Sequence, residues 1–225
     1  MKKGLLILPV LAFLAVSCGD FYTLRSSNAK NIGPIKGRAP YTSVEKYYGF
    51  IDPAANPDGT YKGKKAYYLY FWVPAAIDEV GVAMYSPVTD KPSTSDFVGP
   101  KYEANYAKDS KSFFDTYVVL ERMAVIDPAK IKDAASAPCQ LLDENDDTSE
   151  IDANPAGQQY NSVLRVKTST DNPTKALVRS VYRITFTSFR GDVKGSFLAQ
   201  VGTNIPGVKV ASSLAELHKL VNEAK

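Results

Sequence analysis

Histidine and cysteine are nearly missing from this chain: one His and two Cys in 225 residues. His218 alone removes the Ser-His-Asp and Cys-His arrangements, which need an imidazole base beside the nucleophile. The same scarcity leaves no zinc site built on His and Cys. Neither a Gly-x-Ser-x-Gly turn nor a phosphate-cradling Gly-rich loop occurs. Nothing places two carboxylates across a cleft for glycoside hydrolysis. His218 falls in a helix pattern near the C-terminus, where it reads as a polar-face residue, so the residues point away from an enzyme. Charge of one sign is also lacking, since Lys+Arg 27 against Asp+Glu 24 gives 27 − 24 = +3. Global attraction to nucleic acid or to anionic lipid is therefore absent. Long apolar runs are limited to Gly4–Val16, which Pro9 interrupts and which is too short to span a bilayer as a helix.

That short run has a different meaning in its setting. Lys2 and Lys3 precede it, and Leu14-Ala15-Val16-Ser17-Cys18 closes it. This is the pattern of a bacterial lipoprotein export signal, cut before a cysteine whose thiol is acylated, with palmitate a typical chain. An ordinary signal peptide containing an incidental cysteine is the competing reading. On the lipoprotein reading Cys18 becomes the first mature residue, and loss of two lysines leaves 25 − 24 = +1. Cys139 then has no disulfide partner, so the fold must hold by packing alone. The expected organisation is a signal peptide at 1–17, a lipidated N-terminus and flexible tether at 18–42, and one domain at 43–225. The tether reading rests on weak periodicity and on Ser26, Ser27, Asn28, Gly33, Pro34, Gly37 and Pro40.

Beyond the tether, patterns of period two predominate. Ala66–Val73 is apolar on both faces, as in a strand covered on both sides. Alternation recurs at Tyr160–Lys167, Val178–Thr187 and Val193–Val201. Arg190-Gly191-Asp192 reads as a hairpin turn between the last two runs. Helix is expected at Pro128–Ala137, with Asp127 as N-cap and Pro128 in the first position. The tail from Ser213 makes a second, where Ser213 and Glu216 form a capping box ahead of the stripe Leu214, Leu217, Leu220 and Val221. Many strands with peripheral helices predict a mostly β, jelly-roll-like antiparallel β-sandwich with a C-terminal helix. A membrane β-barrel would need an apolar lipid-facing side around the whole sheet, and is the weaker reading. The aromatics Tyr67, Tyr68, Tyr70, Phe71 and Trp72 read as core filling rather than a recognition surface, and Lys62, Lys64 and Lys65 as a solvated basic patch in a hairpin.

Leu142–Asp152 gathers Asp143, Glu144, Asp146, Asp147, Glu150 and Asp152 into one predicted loop. Carboxylates held together repel, and a hard cation with oxygen ligands relieves this; calcium, with six to eight ligands in loose geometry, suits it better than magnesium. The loop is not an EF-hand, because Thr148 stands where that loop needs glycine and Asn154 where it needs a bidentate Glu. Spacing alone leaves a solvated acidic loop as the alternative.

Several segments together resemble one known family. They are Tyr47-Tyr48-Gly49, Pro57-Asp58-Gly59, Lys64–Pro74, Phe114-Asp115-Thr116, Glu121-Arg122-Met123, Tyr160-Asn161-Ser162, Leu177-Val178-Arg179, Val193–Phe197 and Ile205–Val208. In order and with few gaps from about Tyr47 to Val208, they resemble the major surface lipoprotein (haemolysis-associated protein) family of leptospires. The resemblance implies a calcium-binding jelly-roll sandwich anchored in the outer membrane through Cys18. It implies Ca2+ ligands at Asp115, Thr116, Asp146, Asp147 and, through its backbone, Tyr160. It also implies adhesion to collagen, laminin, fibronectin and plasminogen. Thr148, Glu144 and Asn145 depart from the family's acidic run, and the tail is shorter than the family's lysine-rich end. An abundant coat lipoprotein without soluble ligand, self-associating as a homodimer through the aromatic strand, and a periplasmic small-molecule carrier are the alternatives. No nucleic-acid partner is expected.

Overall fold

The computed structural model describes residues 24–32, 35–88, 90–148 and 160–223. Strands dominate: β1 (Arg25–Ile32), β2 (Ile35–Pro40), β3 (Ser43–Ile51), β4 (Gly59–Tyr61), β5 (Lys64–Val73), β6 (Glu79–Tyr85) and β7 (Phe97–Val98) come first. Helix α1 (Tyr102–Tyr106) and β8 (Thr116–Met123) follow, and then β9 (Cys139–Asn145), β10 (Asn161–Lys167), β11 (Ser180–Ser188), β12 (Gly195–Thr203), β13 (Lys209–Ala211) and α2 (Leu214–Glu223). One sheet runs in the order β10-β6-β12-β3-β7 and the other β13-β5-β11-β8-β9, with β4 beside β5 and β1-β2 as a separate hairpin. All pairings are antiparallel except β3 with β7. This is the expected β-sandwich.

The period-two pattern positions the core. Leu69, Phe71, Tyr182, Ile184, Phe186, Val118 and Leu120 from one sheet meet Val80, Val82, Met84, Phe197, Ala199, Val201 and Leu164 from the other. Phe186 and Phe197 touch across the gap with ring centroids 4.9 Å apart. A Cβ at Gly49, opposite Phe197 in the β3–β12 ladder, would sit 2.1 Å from that ring, so only glycine admits it.

Both outer faces are partly covered, which explains strands apolar on two sides. Over the second sheet lie α2 and the turn at Pro128–Ser136, enclosing Trp72, Met123, Val181, Ile131 and Leu217. Asp127 caps that turn by accepting from the Ala129 amide, as expected, but the segment is 3-10 rather than α. Over the first sheet, Leu24, Tyr41, Tyr48, Tyr85 and Tyr102 form a second apolar layer.

Three expectations change. The described part of the tether is a β-hairpin, with Leu24 and Ser26 buried. Weak periodicity hid it because its docking is by backbone and polar contacts rather than an apolar stripe. The acidic segment starts as strand, β9 reaching Asn145 before the chain leaves the ladder. Arg190-Gly191-Asp192 is a turn with Gly191 at φ 74°, yet β11 and β12 belong to opposite sheets, so it is a crossover and not a hairpin. Alternation reports faces and not partners, which is why the two cases look alike in sequence.

Candidate functional site

Asp115 closes the loop ahead of β8, and its position at the sandwich end follows from Phe114 entering the core beside Phe186 and Phe197. Its carbonyl accepts from the Phe189 amide at 2.7 Å, which ties the loop to the end of β11. The side chain is buried; Oδ2 lies 3.6 Å from Arg190 Nε, and Oδ1 has no hydrogen-bond partner. Burial, and then the nearby carboxylate of Asp147, push the Asp115 carboxyl upward, with Asp146 adding to the effect and Arg190 opposing it. A buried carboxylate oxygen without a donor is costly, and a site that keeps one is short of positive charge.

Asp146 and Asp147 follow directly on β9, whose pairing with β8 brings the chain towards this region. The β8–β9 ladder ends with Val118 opposite Asn145. There the chain leaves the ladder, and Asp146 and Asp147 come within electrostatic reach of the Asp115 carboxyl. Asn145 Nδ2 donates to the Val163 carbonyl at 2.9 Å, holding the exit of β9 against β10. Thr116 is fully buried. Ser162 Oγ donates to the Thr116 carbonyl at 2.7 Å, so the 2.7 Å contact between the two hydroxyls is a donation from Thr116. That arrangement leaves Thr116 Oγ1 with lone pairs as an acceptor. The Tyr160 carbonyl accepts from the Ser86 amide at 3.2 Å and keeps a second lone pair. Its ring stacks on Phe113 at 4.9 Å.

Asp115 and Tyr160 share one cleft of about 440 Å³, walled by Lys111, Phe113, Arg190 and Lys194. The five expected calcium ligands therefore divide. Asp115 and Tyr160 line one cleft, Thr116 is beside them in sequence and bonded to Ser162, and Asp146 and Asp147 act on Asp115 electrostatically. Among the described residues no group of three His, Cys, Asp or Glu side chains is gathered closely enough to hold a metal. Glu150 and Asp152 lie outside the described residues, as does Cys18. The donor set is nonetheless of the right kind: hard oxygens, one of them buried and unpartnered. Such a set fits calcium and not a softer metal.

Arg190 was not legible as a site residue. It stands far from Asp115 in sequence, and its turn context gave no sign of an ion pair. A second cluster was missed as well. Lys62 and Gly63 make the β4–β5 turn, both at positive φ (48° and 78°). Lys62 Nζ donates to Glu144 at 2.8 Å and to the Tyr117 hydroxyl at 2.9 Å, and lies over the Tyr61 and Tyr117 rings. Tyr61 donates to Glu144 at 2.5 Å, and burial together with that carboxylate pushes its phenol up to about 12. Lys64 donates to the Ser188 and Phe189 carbonyls. The basic patch is thus a clamp between the β4–β5 turn, β9 and the Asp115 end of β11.

A family described as surface lipoprotein of the Spirochaetales order matches residues 35–210. A search among curated proteins finds no match. Among the described residues no helix is long and apolar enough to cross a membrane.

Proposed function

The chain belongs to the surface lipoprotein family of the Spirochaetales order, and from that premise we propose a protein acylated at Cys18, held in the outer membrane and stabilised by calcium at the Asp115 end of the sandwich. The proposal extends to recognition of extracellular matrix proteins by the displayed domain, acting as a binding module rather than a catalyst. The observation that carries the calcium reading is the buried Asp115 Oδ1 with no donor, beside a second and a third carboxylate. Asp115 and Thr116 would hold the ion from the entry to β8, Asp146 and Asp147 from just past the end of β9, and Tyr160 through its carbonyl from just ahead of β10. Bound calcium would supply the positive charge that relieves these carboxylates. Arg190 supplies only part of it, from 3.6 Å and from a largely exposed side chain.

The experiment is a melting curve with calcium and with chelator, joined to a calorimetric calcium titration. An ion binding only the folded state stabilises by about 2.7 kcal/mol at a hundredfold excess over Kd. The expected result is a higher melting temperature in calcium, abolished in Asp146→Ala/Asp147→Ala and in Asp115→Asn. Identical curves in calcium and EDTA would refute the site. For the partner half, immobilised collagen, laminin, fibronectin and plasminogen are offered to the calcium-loaded protein. Absence of retention on all four would leave the display role without a matrix ligand.

A further inference from the structure

The β4–β5 turn roofs a second cavity, which shares no residue with the Asp115 cleft. It measures about 190 Å³ and lies at the end of the second sheet remote from α2, between that turn, the start of β8 and the last residues of β11. Three rings wall it: Tyr61, Tyr117 and Phe189. Tyr117 and Phe189 are parallel, with 7° between their planes and centroids 6.4 Å apart, and Tyr61 stands 6.2 Å from Tyr117. Phe189 is 46% exposed, which places one of the three rings at the mouth.

Two lysines flank the rings, and their ammonium groups differ. Lys62 is neutralised, pairing with Glu144 at 2.8 Å and donating to Tyr117 at 2.9 Å. Those contacts fix the roof, where Lys62 holds a left-handed backbone that lysine seldom adopts. Lys64 donates to the Ser188 carbonyl at 3.0 Å and to the Phe189 carbonyl, and sits over the Phe189 ring at 5.4 Å. Among the described residues no carboxylate lies within ion-pair distance of it, and Asp115 feels its charge only from further away. Lys64 therefore keeps one N–H and a net positive charge at the cavity wall.

The hydroxyl protons around the cavity are already spent. Tyr61 donates to Glu144, and the Tyr117 hydroxyl is held by Lys62 and Glu144. Thr187 donates to the Lys65 carbonyl at 2.7 Å and Ser188 to the Arg190 carbonyl at 2.5 Å. A sugar would meet ring faces and no free donor except that ammonium, so burying its hydroxyls would be costly. What the cavity offers is apolar ring surface and one unneutralised cation. Its size narrows the choice further. An apolar cavity of about 150 Å³ takes a benzene ring, whereas drug-sized ligands occupy roughly 300–1,000 Å³. The space suits one ring bearing one small anionic group.

We propose that this cavity binds a small aromatic carboxylate, with its ring against Tyr117 and Phe189 and its carboxylate on Lys64. Ring contacts supply the affinity, and the charge-assisted hydrogen bond fixes the orientation. The site uses neither the acyl anchor nor the metal, so it stands or falls separately from both.

Benzoate titrated into the full mature chain tests it, read by NMR at the methyl resonance of Thr187, which lines the cavity. Benzoate should give a saturable shift. Benzyl alcohol, with the ring but no charge, and acetate, with the charge but no ring, should each bind about tenfold weaker or not at all. Lys64→Gln should weaken benzoate by roughly tenfold or more, the worth of a hydrogen bond to a charged group. Lys64→Arg should keep most of the affinity, and Phe189→Ala should lose it. Lys130→Gln, an exposed lysine in the segment that covers the other end of the sheet, should bind as wild type. Absence of a saturable benzoate shift would overturn the proposal. So would benzyl alcohol binding as tightly as benzoate, or equal weakening by Lys64→Gln and Lys130→Gln. The benzoate and benzyl alcohol comparison uses wild-type protein, so it decides the matter even where a variant fails to fold.

Discussion

At the level of single residues, the chemistry of this protein lies in side chains whose partners are distant in sequence. Asp115 and the pair Asp146 and Asp147 were joined by resemblance and not by spacing, because they lie in separate segments and their electrostatic influence on one another appears only in the folded chain. Lys62 read as a solvated cation for the same reason, since Glu144 reaches it from another strand. Glu79 gave no sequence signal at all: one acid opening a strand is unremarkable until Ser27 and Tyr41 converge on it. Burial pushes the Glu79 carboxyl up, but the hydrogen bonds from Ser27 and Tyr41 outweigh burial and hold it below its ordinary 4.5. The folded state thus binds fewer protons here than the unfolded chain. Its contribution is complete above about that value and is lost as pH falls through the lowered value. Amide protection across 25–40, taken relative to intrinsic exchange, should accordingly fall as pH drops below 4.5, before that of the core strands. Glu79→Ala should remove the pH dependence and cost about 2–4 kcal/mol, since hydrogen bonds to a charged acceptor contribute roughly 1.5–3 each. Protection across 25–40, relative to intrinsic exchange, that stays constant as the pH is lowered well below 4.5 would contradict a role for the Glu79 carboxylate in holding the hairpin.

Elements whose signals are local were readable in advance. The terminal helix is one, because capping involves neighbours only. The Glu216 amide donates to Ser213 Oγ at 3.2 Å, as the capping box requires, while the Glu216 carboxylate accepts from the Ser212 amide and hydroxyl, one residue further back than expected. Leu214, Leu217 and Val221 are buried against Ile131 and Trp72. Ser213→Ala removes a single cap and should cost about 1 kcal/mol. In a chain of this size that lowers the melting temperature by roughly 2–4 °C. A drop above 10 °C would mean that the helix carries more of the sandwich than its stripe implies. The hairpin β1–β2 shows the opposite case. Its residues favour turns and loops, and it is held to the sheet by the contacts of Leu24 and Ser27 with Gln200 and Glu79, with Tyr41 just beyond it. That ring lies over Gly81 and Gly202, where a Cβ would come within 2.4 and 2.3 Å of it. Such a slot is made by two paired strands and is invisible in either alone.

For the molecule as a whole, the scarcity of cysteine has a direct consequence. Exposed Cys139 is the free thiol among the described residues, and no cross-link there contributes to stability. Two sheets are held by what their inner faces bury, and Phe197 is one of the large side chains at their contact. Its ring meets Tyr47 at 6.3 Å within its own sheet, and Phe114 at 6.4 Å and Phe186 at 4.9 Å from the other side. Gly49 has no side chain where that ring sits, so no neighbouring group can close the space if the ring is removed. Phe197→Ala should therefore cost near the upper end of the ~3–5 kcal/mol for loss of a buried aromatic. Against a total of roughly 5–15 kcal/mol for a native domain, that is a large fraction. Urea unfolding should show a lowered midpoint with an unchanged slope, and the wild-type curve should be the same with and without reductant. A midpoint for Phe197→Ala within error of wild type would mean that the sheets are held elsewhere. Reductant sensitivity in the wild type would mean that a covalent link, and not packing, unites them.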